Sequence, residues 1–148
     1  MSLYVVDASV AVKLYVPEIH STQAIRLFSD EHELIVPEFM LAEFANIVWK
    51  KCALLGELTE AEAKTIVEAV QELPLGYYRT SALLTDALQI ALITKRTVYD
   101  SLYIALATAE GCQLITDDRK LYQSLHPTSF GEFVTLLESY PFPLLESY

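Results

Sequence analysis

Three short apolar runs punctuate this chain, and each stops at residues that cannot prolong it. Leu3-Tyr-Val-Val6 ends at Asp7, Leu34-Ile-Val36 ends at Pro37, and Gln113-Leu-Ile-Thr116 ends at Asp117-Asp118. Runs this short, with little polar alternation, suit strands covered on both faces, as in a parallel sheet. Residues 75–79 form a weaker fourth run. Parallel neighbours need long crossovers, and the stretches between these runs carry helical spacing. The pattern predicts an α/β chain, a three-layer α/β/α sandwich around a central parallel sheet.

The helical stretches show their own starts and stops. Pro37-Glu38 suits a first turn, where a missing N–H costs nothing. From there Leu41, Ala45, Val48, Cys52 and Leu55 recur at helical spacing, and this stripe is expected to face the core. Thr59 and Glu62 fit a capping box ahead of Ile66, Val67, Val70 and Leu73, with Pro74 as the stop. Over residues 81–95, Leu84, Leu88, Ala91 and Leu92 share one face. Residues 100–110 read as a helix closed by Gly111.

A chain of 148 residues with 53% hydrophobic and 20% charged residues excludes extended disorder. It divides into one domain over residues 1–132 and a C-terminal tail, 133–148, of unassigned role. Leu-Leu-Glu-Ser-Tyr occurs at 136–140 and again at 144–148, too short to be a structural repeat. Twenty acidic against ten basic residues give a net charge of −10, which argues against a basic module that coats nucleic acid. No apolar run reaches the roughly 18 residues of a membrane span. Cys52 and Cys112 lack metal-ligand spacing, and the opening residues lack a basic flank. Together these predict a cytoplasmic protein with free thiols and no membrane partner.

In open α/β sheets, ligands bind beyond the carboxyl ends of the strands, so the acids placed there are informative. Asp7 follows the first run and Asp117-Asp118 the last, while Asp100 opens a helix. Glu43 shares a helix face with Asn46 and Lys50. Two like charges 4 Å apart cost about 4 kcal/mol at an effective dielectric of 20. Four converging carboxylates therefore require a counter-charge or raised pKa values. All-oxygen ligands suit hard cations, Mg²⁺ or Mn²⁺. Such an ion activates water, clamps a phosphate and lets an acidic protein hold a polyanion.

Four segments resemble, in order, the motifs of PIN-domain ribonucleases of the VapC toxin type. They are Asp7-Ala-Ser-Val-Ala-Val-Lys13-Leu-Tyr, Glu38-Phe-Met-Leu-Ala-Glu43-Phe-Ala-Asn46-Ile-Val-Trp49-Lys50, Val98-Tyr99-Asp100-Ser-Leu-Tyr103-Ile-Ala-Leu-Ala107 and Leu114-Ile-Thr116-Asp-Asp118-Arg-Lys-Leu121-Tyr122. The resemblance implies the PIN fold, with Asp7, Glu43, Asp100 and Asp118 as catalytic acids and metal ligands. Ser9, Asn46 and Thr116 would orient them. It further implies Mg²⁺- or Mn²⁺-dependent cleavage of RNA such as tRNA or rRNA, a small antitoxin as partner, and a homodimer. Thr116 two positions earlier favours Asp118 over Asp117 as the fourth acid.

Plainer roles exist for the same residues. Asp118 suits a helix N-cap and Asp117 a cap or turn. Ser9 and Thr116 suit caps, and Lys13 suits either a solvated charge or a phosphate contact. His20, His32 and His126 share no ligand spacing and read as surface residues. Tyr103 and Trp49 read as packing, and Cys52 as buried. The alternative function is a non-catalytic PIN-like module for dimerisation or partner binding. A phosphoacceptor receiver would want an acidic pair after its first strand, and an aspartyl phosphatase a second Asp at position 9; neither is present.

Overall fold

The computed structural model describes residues 2–143. Five parallel strands form one sheet in the order β3-β2-β1-β4-β5, with β1 at Ser2–Val6, β2 at His32–Pro37, β3 at Gly76–Tyr78, β4 at Gln113–Thr116 and β5 at Val134–Leu136. Val5 stands opposite Ile35 on one side and Leu114 on the other, so β1 is the centre of the sheet. Helices cover both faces, giving the expected three layers. Right-handed crossovers place α1 (Ala8–Ala11), α2 (Ser21–Ser29), α3 (Phe39–Trp49) and α4 (Glu60–Val70) on one face. The returning α5 (Leu84–Thr94), α6 (Val98–Glu110) and α7 (Arg119–Leu125) take the other. Among the described residues, no helix is long and apolar enough to cross a membrane.

Local chemistry sets several boundaries. Thr59 and Glu62 form both bonds of the capping box that starts α4. Gly111 ends α6 at φ 63°, a left-handed conformation that costs glycine little. Asp7 caps α1 by accepting from the Val10 N–H, and Asp118 caps α7 by accepting from Leu121. The strands Leu34–Val36 and Leu114–Thr116 are buried throughout, which is why they read as continuous apolar runs.

Two expected core stripes are turned differently. On α3 the buried row is Met40, Phe44 and Val48; Cys52 is only half-buried and Leu55 is exposed. A π-helical turn at Lys50–Leu54 breaks the phase of the spacing, so the C-terminal half of the stripe lies outside the core. On α5 the core takes Leu83 from just before the helix, with Ala87 and Ile90, whereas Leu84, Leu88 and Leu92 face outward. The helix is apolar on two faces, and spacing alone cannot say which packs inward.

Two elements escape the sequence reading. α2 buries only Ala24 and Leu27, too sparse a stripe to stand out among polar neighbours. β5 has three residues, and its identity as a strand comes from the β4 edge, where Leu114 faces Val134 and Thr135 donates to Gln113 at 2.8 Å. The sheet therefore extends past residue 132, and the expected tail boundary at 133 falls immediately before an edge strand. Leu137 and Tyr140, from the first Leu-Leu-Glu-Ser-Tyr copy, are buried in the core; the second copy lies outside the described residues.

Truncating Leu137, which is fully buried, is expected to cost about 2–4 kcal/mol as Leu137→Ala. Ile19→Ala, at an exposed position, should stay within about 0.5 kcal/mol. Urea unfolding reads both; equal small changes would place the C-terminal segment outside the cooperative core.

Candidate active site

β1 leads into helices on one face while β4 arrives beside it from the other, so the β1/β4 boundary is the topological switch point of this sheet. Asp7 follows β1 there and is 5% exposed. Its Oδ1 accepts from the Ser9 hydroxyl and, at 3.3 Å, from the Val10 N–H, and its Oδ2 accepts from the Thr116 hydroxyl at the end of β4. Burial pushes the Asp7 carboxyl up to about 6, against the lowering effect of those three bonds. Ser9 and Thr116 also accept the Asp117 and Asp118 N–H groups at 3.2 and 3.1 Å, which ties Asp7 to the turn after β4.

The other three acids come from different elements, α3, α6 and the start of α7. Glu43, one turn into α3, is half-buried and accepts the Tyr103 hydroxyl at Oε1, 2.9 Å away. Burial, together with the charges of Asp7, Asp100 and Asp118, pushes Glu43 up to about 7. Asp100 lies in the first turn of α6, where its N–H is capped by Thr97. Its carboxyl is raised mainly by burial, although Arg96 Nη2 donates to Oδ2 at 3.0 Å and opposes the rise. Asp118 uses Oδ1 for its cap, leaving Oδ2 3.8 Å from Arg96. Glu43 is raised by the charges of Asp7, Asp100 and Asp118, and Asp118 also raises Asp7 and Asp100, so Glu43 and Asp118 each lie within electrostatic reach of the other acids.

The orienting residues divide. Ser9 and Thr116 bond Asp7 directly. Asn46 is exposed, makes no hydrogen bond to the four acids, and lines a cavity of about 460 Å³ with Ser9, Lys13, Lys50 and Lys51. Lys13 is 4% exposed and pairs with Asp117 at 3.0 Å, so it is neither solvated nor free for phosphate. Asp117 also meets His20 Nδ1 at 2.9 Å, making it a brace beside the site; His20 is not the isolated surface residue its surroundings in sequence suggest.

Two contributors escape sequence reading. Tyr103 carries the spacing of a packing residue, and only the fold shows its hydroxyl on Glu43. Arg96 stands four positions before Asp100, a spacing that in retrospect marks an ion pair at a helix start.

Among the described residues, no three His, Cys, Asp or Glu side chains converge into a ready metal cage. The donor set still fits a hard dication: four carboxylates face one guanidinium, leaving unneutralised negative charge on oxygen ligands alone. Asp7 Oδ2, Glu43 Oε2, Asp100 and Asp118 Oδ2 are the oxygens turned to the cleft or free of helix capping.

The PIN domain family model matches residues 4–124. A ribonuclease named VapC3 from Pyrobaculum aerophilum is 42% identical over 119 residues, covering 79% of this chain and 90% of that protein. The crystal structure of PAE2754, also from Pyrobaculum aerophilum, superposes with a TM-score of 0.68 at 26% identity, covering 94% of each chain. A toxin–antitoxin complex from Klebsiella pneumoniae contains a chain with the same fold, with a TM-score of 0.62 at 14% identity, covering 93% of this chain and 98% of that one.

Raised carboxyls make the metal-free protein acid-stabilised. Asp7 and Glu43 hold protons more tightly when folded, so their contribution is complete below the unfolded values of 3.8 and 4.5 and is lost as pH rises through about 6 and about 7. In chelator, urea stability is expected to fall between about pH 4 and 7, with Asp7 alone accounting for on the order of 3 kcal/mol. Asp7→Asn should flatten that slope; an unchanged slope would show that Asp7 ionises normally.

Proposed function

From the chain's membership of the PIN-domain family, alongside the VapC ribonucleases, we propose that it is the toxin of a toxin–antitoxin pair, a metal-dependent endoribonuclease. The observation that carries this reading is the set of four acids at the switch point, with Asp7 locked between Ser9 and Thr116. The matching of the family over the whole segment that bears them adds support.

Asp7, Glu43, Asp100 and Asp118 would hold Mg²⁺ or Mn²⁺. The ion supplies Lewis-acid stabilisation of the phosphate and local positive charge to a chain of net charge −10. Ser9, Thr116 and the Val10 N–H fix the Asp7 carboxylate so that it need not reorganise when charge develops. Glu43 is the base. Tyr103 holds its Oε1, and Oε2 would take the proton from water as the water attacks phosphorus; the opposite P–O bond breaks with its electron pair going to the leaving oxygen, which solvent water then protonates. Asn46, on the rim, contacts RNA from outside the acidic set. Structured RNA such as tRNA or rRNA is the proposed substrate, and the cytoplasm the proposed compartment.

Two surfaces suit the partners. On α5, Leu84, Leu88, Leu92 and Ile93 expose a continuous apolar row, with Leu92 73% exposed, and we assign it to a second copy of the chain. Between α3 and α4 a groove of about 420 Å³ is lined by Ala45, Val48, Trp49, Cys52, Ala63 and Val67. Because α3 also carries Glu43, an antitoxin segment lying in this groove can continue along the helix to the acids. The Klebsiella neighbour, a toxin in complex with its antitoxin, supports that kind of partner.

Purified protein should cut RNA in the presence of Mn²⁺. Asp7→Asn is expected to abolish cleavage, and Glu43→Gln to slow it about 10²–10⁴-fold. Cleavage that survives Asp7→Asn would instead favour the non-catalytic module. Sedimentation should find a dimer that Leu88→Glu with Leu92→Glu converts to monomer; a wild-type monomer would remove the α5 assignment.

A further inference from the structure

Arg96 is the only Lys or Arg among the described residues in ion-pair contact with any of the four acids. It meets two of them, Asp100 at 3.0 Å and Asp118 at 3.8 Å, and both contacts come from Nη2. Its Nε is buried and has no hydrogen-bond partner. Arginine–carboxylate pairs are frequently bidentate, with two parallel N–H donors on one carboxylate. Arg96 instead spans two carboxylates with one nitrogen and leaves another donor unsatisfied, at the cost a buried orphan carries. The arrangement offsets part of the charge of Asp100 and Asp118 without completing the guanidinium's own bonding.

Without a cation, Asp100 and Asp118 lean on Arg96 and not on a shared centre. Once a dication neutralises these carboxylates, a guanidinium beside it is repelled and its two partners are taken. Its planar fork then matches the one anion that must enter the cleft, the RNA phosphate.

We propose that Arg96 is a place-holder cation: it occupies Asp100 and Asp118 in the metal-free protein, yields them on metal loading, and then binds a non-bridging oxygen of the RNA phosphate. This rests on the metal-dependent ribonuclease reading and adds a residue to its machinery. Tyr103 and Ser9 keep their partners throughout, since neither contacts Arg96.

The test is Mn²⁺ titration by calorimetry on the full chain, for wild type, Arg96→Gln and Arg96→Lys, with thermal melts in chelator confirming that each is folded. Removing a competing charge should tighten Mn²⁺ binding by Arg96→Gln roughly tenfold, while Arg96→Lys, which keeps the charge, stays near wild type. In a Glu43→Gln background, where cutting is slow enough for binding to be read first, Arg96→Gln should bind the RNA that wild type cleaves roughly tenfold more weakly at saturating Mn²⁺. Mn²⁺ affinity unchanged or weakened in Arg96→Gln overturns the place-holder role, as expected of a mere brace. Unchanged RNA affinity overturns the phosphate contact. Wild type that binds Mn²⁺ and cuts RNA while the Arg96 variants match it in both assays removes this inference alone. Wild type that neither binds Mn²⁺ nor cuts RNA removes the metal-dependent reading and this inference with it.

Discussion

Four carboxylates share one edge of a small sheet, and most of what surrounds them counters the repulsion this creates. Asp7 is nearly sealed from water, a position in which an ionised carboxylate is costly unless hydrogen-bonded. Three donors meet it, yet burial still outweighs them and the carboxyl rises to about 6. Glu43 rises further, because three neighbouring acids add to its burial. A chain selected for stability alone would place an amide or an apolar group at either position. Carboxyls raised by burial and by neighbouring acids are what a site that binds a cation or moves a proton would require, and they support the proposed one.

The same atoms serve the fold and the site. Asp7 caps α1 and Asp118 caps α7, each accepting a helix N–H at Oδ1. That leaves Oδ2 of each turned toward the neighbouring strand or Arg96. A helix start beyond a parallel strand supplies unpaired N–H groups and a favourable dipole, so an acid there is stabilised by the element it begins. The capping and ligand readings of Asp118 are therefore compatible, since capping uses Oδ1 and leaves Oδ2 for the proposed ion.

Legibility in the sequence follows the range of the interaction. Strands buried on both faces announce themselves, because every residue in Leu34–Val36 must be apolar. The capping box at Thr59 and the αL glycine at Gly111 depend on neighbours three or four residues away and are equally plain. The acids Asp7, Glu43, Asp100 and Asp118 were proposed from motif order, but which elements carry them, and that Asp118 lies near both Asp7 and Asp100, needed the sheet. Tyr103 on Glu43 spans 60 residues and Thr116 on Asp7 spans 109, and no local pattern separates either from packing. β5 lay beyond reach for a related reason: three residues become a strand only when an edge is there to pair with.

The outward-facing stripes carry a different lesson. Spacing correctly identified a row of leucines on α5, but assigned it to the core of this chain, where Ala87 and Ile90 already fill the contact. Apolar area of that kind stays in water only at a cost of about 25 cal/mol per Å², and a monomer gains nothing from it. The α3–α4 groove repeats the situation with Trp49, 54% exposed. Periodicity reports that a face is to be buried without saying by which chain. For α5 and α3, the proposed partners would complete the burial that the pattern encodes, and on α3 that would set a partner surface beside the face that carries Glu43.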